Sequence, residues 1–205
     1  KINKNILYIL FLSLFSFLFN FYYGYKGIFP IDSFLIFDAA YNITSGNHPF
    51  KDYWLITGPF LDYIQSLLFL IFGTNWFSYV FHASLFNMIL AAFSFYFFLK
   101  IGLKYSYAFI YSLGIAILAY PSIGTPFIDH HAVFLSLFAL YSISLGILLE
   151  NKLYWFLTPL FIIFSFFSKQ IPSAYLLILF VPIVLFYFYK IKNLKSKNFN
   201  FLFLG

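Results

Sequence analysis

The chain of 205 residues contains no cysteine and no arginine. Without thiols there is no disulfide framework and no thiolate chemistry, and no redox compartment is selected. Charge of either sign is scarce: twelve lysines and six acids, 9% of the residues. The net charge of +6 does not make a nucleic-acid surface, because the lysines are spread thinly between apolar runs. Lysines so placed anchor loop ends at a membrane. The sequence also lacks a phosphate-cradling glycine loop, a nucleophile elbow and zinc-type ligand spacing.

Apolar and aromatic side chains take the place of charge. They make up 63% and 27% of the chain, and its mean hydropathy is +0.90. A soluble domain of this size has too little interior to hide so much apolar surface. The composition therefore predicts an all-α, polytopic bundle of transmembrane helices. Apolar runs at 6–23, 77–99, 105–120, 132–149, 153–168 and 171–189 predict about six spans. The chain reads as a single domain over 1–205. Its start at Lys1 rather than Met, and its apolar ending "NFNFLFLG", are what a piece of a longer protein would show.

Residues 24–75 form a long polar interruption, expected as an external first loop. Pro30 followed by Asp32 reads as a turn with a helix N-cap. Asp38, Asn42 and Ser45 recur at helical spacing, and Gly46 supplies a stop. A second short helix is expected over 60–72, with Asp62 near its start. Both are expected to lie at the membrane surface.

The lysines predict an orientation. With a cytoplasmic N-terminus, Lys1, Lys4, Lys100, Lys104, Lys152 and the lysines at 190–197 lie inside. Lys26, Lys51 and Lys169 lie outside. Every acid except Glu150 then falls on the external face.

That face gathers the candidate site. "PFIDHHAVF" places Asp129, His130 and His131 at the mouth of the fourth expected span. With Asp32 and Asp38 in the first loop, the carboxylates suit acid–base chemistry or a divalent metal with oxygen and imidazole ligands. Asp32, Asp129 and His131 are the metal candidates. Adjacent histidines on a helix point about 100° apart, so His130 and His131 do not readily share one ion. The plainer reading of Asp129 and of Asp32 is helix capping. Asp38 suits a solvated helix face, and Asp52 can pair with Lys51 to little energetic effect. Lys169, beside Gln170 at the outer end of the fifth expected span, either snorkels to the interface or meets a lipid phosphate. His82 and Asn87, inside the second expected span, are expected to find partners on neighbouring helices.

The order of parts resembles the GT-C superfamily of integral-membrane glycosyltransferases. The nearest branch holds the protein O-mannosyltransferases, the lipid A aminoarabinose transferases and the RgtA/B/C/D-like transferases. The resemblance rests on "IDSFLIFDAAYNITSGNHPFKDYW", on the following "GP" and "FG", on Asp129 opening a span and on Lys169 closing one. It implies a sugar donor carried on a polyprenyl phosphate and used at the external face of a bacterial plasma membrane. The acceptor would be a glycan, a lipid or a protein, and the outcome inversion at the anomeric carbon. It implies that Asp32 is the essential first-loop acid, as base or metal ligand. Asp129 would be a second acid and Lys169 the donor-phosphate ligand. Gln170, His130, His131, Asp38, Lys51 and Asp52 would line the substrate site. The chain departs from the pattern at Ser33, where many members carry Glu, and at "ITGP", which lacks a lysine that many members have. A transporter or lipid flippase, and a non-catalytic membrane subunit, are the alternative expectations.

Overall fold

The computed structural model describes residues 4–28, 32 and 34–190. Among them the regular structure is entirely helical. The helices are α1 (Lys4–Gly24), α2 (Leu35–Thr44), α3 (Phe60–Phe72), α4 (Trp76–Lys100), α5 (Tyr105–Leu118), α6 (Ile128–Leu149), α7 (Lys152–Ser168) and α8 (Gln170–Lys190). Ser33 and the lysines at 192–197 lie outside the described residues.

Each of the six expected spans is a helix, but four of the six are long and apolar enough to cross a membrane: α1, α4, α6 and α8. At 1.5 Å per residue, α5 and α7 reach only about 21 and about 26 Å, short of a hydrocarbon core of about 30 Å. α5 stops early because the backbone leaves helical geometry at Ala119, just ahead of Pro121. α7 stops because Lys169 is extended, with φ −153° and ψ 132°.

The burial pattern of α1 is that of a helix in lipid. Its buried residues are Leu12, Ser16, Asn20 and Gly24, one per turn. Leu7, Leu10, Leu14 and Leu18 face outward, each more than half exposed. Water would reverse this arrangement. Lipid does not, because small and polar residues gain more from facing another helix than leucines do. The inward residues form a ladder. Asn20 Nδ2 donates to Ser84 Oγ at 2.9 Å and to the Gly124 carbonyl at 3.3 Å. Asn87 Nδ2 donates to the carbonyls of Ser16 at 3.2 Å and Ala116 at 2.9 Å. The single Asn87 amide therefore ties α4 to α1 and α5. Asn87→Leu is expected to lower resistance to unfolding in denaturing detergent by about 1 kcal/mol, the usual worth of such bonds in membrane bundles.

The first loop folds as two short helices joined by a turn. α3 runs over the residues predicted for it. α2 does not begin as predicted: its N-cap is Phe34, and no side chain caps it. Asp32 contributes its backbone carbonyl, which accepts from the Leu35 N–H at 3.3 Å. Gly46, at φ 90°, closes α2.

The chain divides into two compact units, one up to His130 and one from His131 onward, so the boundary falls inside α6. In the second unit α7 and α8 form an antiparallel hairpin. Trp155 near the start of α7 packs on Tyr187 and Phe188 near the end of α8, with ring centroids 5.6 and 5.2 Å apart. The Trp155 indole donates to the Gly146 carbonyl of α6 at 3.0 Å.

Candidate functional site

One apolar cluster in the first unit organises the acids. Ile36, Leu61 and Tyr79 are buried together, with Phe37, Phe60, Trp76 and Ile128 packed around them. These residues come from α2, α3, α4 and the first turn of α6. Three of them are followed directly by an acid: Phe37 by Asp38, Leu61 by Asp62 and Ile128 by Asp129. The ring of Phe37 lies 4.8 Å from Phe69 and 5.3 Å from Tyr79, which fixes α2 against α3 and α4. Tyr53 closes the loop by donating its hydroxyl to the Ala39 carbonyl at 3.3 Å. Tyr79 donates to the Pro126 carbonyl at 3.4 Å and so holds the segment leading into α6. Packing of these few rings brings the first loop and the "PFIDHH" segment to the same place.

The predicted site residues differ in what they offer. Asp32 and Asp129 are half-buried, and Asp38 is exposed. Asn42 binds the Asp38 backbone carbonyl rather than its carboxylate. Asp52 accepts from the His48 N–H at 2.8 Å and lies 4.0 Å from the Lys51 ammonium. It therefore secures the 48–52 turn, in line with the plain pairing expected of it. Lys51 is largely exposed.

Asp129 is neither an N-cap nor ahead of the helix. α6 begins at Ile128, four residues before the predicted start, and puts Asp129 in its first turn. An acid there is favoured by the unpaired amides and the helix dipole. His130 is half-buried, its ring 5.6 Å from Tyr120 and 5.4 Å from Phe127. His131 is fully buried and belongs to the second unit. Lys169, half-buried, and Gln170, exposed, also lie in that unit, at the tip of the α7–α8 hairpin. The Lys169 N–H is bound to the Ser165 carbonyl at 2.9 Å, and Ser173 donates to the Lys169 carbonyl.

Asp62 was not among the predicted site residues. It is 5% exposed, on the face of α3 that also buries Leu61, Gln65, Ser66 and Phe69. Its Oδ2 has no hydrogen-bond partner among the described residues. Burial alone pushes its carboxyl up to about 7, with no neighbouring cation to offset it. The same environment raises the Tyr53 phenol to about 12, chiefly by burial and then by the Asp62 charge. One turn on, Gln65 Oε1 lies 2.9 Å from His82 Nδ1 of α4. A carbonyl oxygen can only accept, so Nδ1 carries the hydrogen of that bond.

Among the described residues no three His, Cys, Asp or Glu side chains gather closely enough to hold a metal ion. Of the metal candidates, Asp32 and Asp129 lie in the first unit and His131 in the second. No family model, no curated protein and no solved structure matches the chain.

Proposed function

We propose that this protein is a membrane glycosyltransferase that moves a sugar from a polyprenyl-phosphate donor to an acceptor hydroxyl at the external face of a bacterial plasma membrane. The reading rests on one observation above all. A single apolar cluster joins α2, α3, α4 and the first turn of α6, and on α2, α3 and α6 an acid directly follows a cluster residue. The motif order of the first loop, Asp129 and Lys169 supports it.

In this reading Asp32 takes the proton of the acceptor hydroxyl as that oxygen attacks the anomeric carbon. The bond from that carbon to the donor phosphate oxygen breaks, and the polyprenyl phosphate leaves with the electron pair. Attack opposite the leaving group inverts the configuration. Lys169, standing between two apolar helices with Gln170 beside it, stabilises the departing phosphate. Asp129 is the second acid of the site and orients the acceptor, and His130, Asp38 and Lys51 are assigned to substrate binding.

Binding of the leaving group tests the reading. Polyprenyl monophosphate added to the detergent-purified protein is expected to raise its thermal transition, and Lys169→Ala is expected to abolish that rise. An equal rise in both proteins removes Lys169 from the donor site. No rise in either favours the transporter reading, which the buried Asp62–Gln65–His82 group independently supports.

A further inference from the structure

We propose that Asp62, Gln65 and His82 form a buried proton-binding site, in which the Asp62 carboxyl carries an exchangeable proton and Gln65 couples it to the His82 imidazole. The proposal does not rest on the transferase reading, and its failure would leave that reading untouched.

The geometry has three parts. Asp62 and Gln65 stand at i and i+3 on α3 and therefore share one face. That face is the buried one: Asp62 is 5% exposed, Gln65 0% and His82 3%. Two polar atoms on it, Asp62 Oδ2 and Gln65 Nε2, are buried without hydrogen-bond partners among the described residues. A carboxylate with a bare oxygen in such a place is costly to keep charged. The carboxylic acid is not, and its O–H adds the donor that the anion lacks.

The surroundings favour a proton over a larger ligand. The groups that bear on Asp62 are Tyr53 from the loop and Tyr79 from α4, while Asp38 of α2 acts on Tyr79 and His82 of α4 is bonded to Gln65. Neither of the two tyrosines is a cation, and both are neutral phenols near neutral pH. Burial is what favours the protonated acid, with no ammonium among these groups to oppose it. A divalent ion requires more ligating side chains than are gathered here. A proton needs no cavity.

Gln65 gives the site its direction. Its Oε1 is committed to the His82 Nδ1–H at 2.9 Å. Its Nε2 amide remains as a donor on the same face as Asp62. In this proposal a change of charge at Asp62 acts on the Gln65 amide through their shared buried face, and the amide passes it to the imidazole on α4 through the bond it already makes. The step is a simple equilibrium: the carboxylate takes one proton from water and returns it, with no other bond made or broken.

Infrared pH titration of the purified protein tests the site. Ordinary aspartates lose the protonated carboxyl band by about pH 5. A C=O band that persists beyond this and disappears with a midpoint near 7 is expected in the wild type. It should be missing in Asp62→Asn and retained in Asp129→Asn. Loss of all carboxyl bands by about pH 5, or an unchanged late band in Asp62→Asn, overturns the proposal. If Asp62→Asn does not fold, Gln65→Leu replaces it and should raise the midpoint, because the amide dipole one turn along the same buried face is lost. A midpoint that does not move rejects the coupling. Repeating the wild-type titration in sodium and in choline chloride at equal ionic strength separates ion from proton. A band lost in sodium alone would identify a sodium site instead.

Discussion

Asp32→Asn is expected to leave the protein folded and to reduce sugar transfer by about a hundredfold to about ten-thousandfold. That is the range in which a positioned general base contributes. The fold should survive because the structural work of Asp32 is done by its backbone. Its carbonyl accepts from Leu35 N–H, and the helix that follows is capped by no side chain. An asparagine keeps that carbonyl and the side-chain shape and loses only the basicity. The assay is transfer of radiolabel from polyprenyl-phosphate-linked sugars in membranes holding the complete protein. Asp38→Asn is the comparison: Asp38 is exposed and its carboxylate is not half-buried like that of Asp32, so its loss should cost less than tenfold. Near-normal transfer by Asp32→Asn would sink the assignment of the base, and equal losses in both would point to general acidity of the loop.

Gly124→Ala is expected to be the most damaging single-methyl change in the first unit. Gly124 has φ 76°, in the region that disfavours a side chain. A Cβ there would stand 2.5 Å from the Gly24 Cα and 2.7 Å from its nitrogen. Those atoms are backbone and cannot rotate away. Two penalties therefore add: about 1–2 kcal/mol for the left-handed conformation and about 1–3 kcal/mol for overpacking. The same contact carries the Asn20 bond to the Gly124 carbonyl, so displacement would also strain the α1–α4 ladder. Gly114→Ala is the natural control. Gly114 lies within α5 and a Cβ there meets nothing within 4 Å. It should be neutral or slightly stabilising. A denaturing-detergent titration of both variants checks this. A Gly124→Ala protein as stable as Gly114→Ala would mean that the two chain segments are not in contact in the membrane.

The sequence was most informative where apolar runs are long and end in a clear break. The extents of α3, α7 and α8 follow almost directly from Gly58-Pro59, Gly73 and Lys169. Asp129, His130 and His131, at the mouth of the expected fourth span, lie in the first turn of α6, which starts four residues earlier than the apolar run. An acid suits that position, and the half-buried His130 ring packs on Tyr120 and Phe127. Asp32 read as a cap, but the chain turns through Phe34 before α2 begins. Asp62 was visible and undervalued. Asp62, Gln65, Ser66 and Phe69 fall on one stripe at helical spacing, a pattern that marks a polar face turned inward. Charge alone places such an acid at a surface. Only the packing of α2 and α4 over that stripe shows it buried. The partners of Asn20, Ser84 and Gly124, are 64 and 104 residues away in the chain, so no local pattern points to them.

The one-residue link at Lys169 bears on how the protein is made. α7 and α8 are antiparallel and share the Trp155–Tyr187–Phe188 contact, with a single extended residue between them. There is no slack with which to insert one helix and wait for the other. The pair must enter the bilayer together, as a hairpin led by its tip, and the tip is a lysine. Carrying a lysine through the hydrocarbon centre costs about 2.5–3.5 kcal/mol on insertion scales, which two apolar helices repay. Lys152 and Lys190 stand at the open end of the hairpin. The Lys169 ammonium is thus fixed between its two helices as soon as the hairpin forms, before any partner or substrate reaches it.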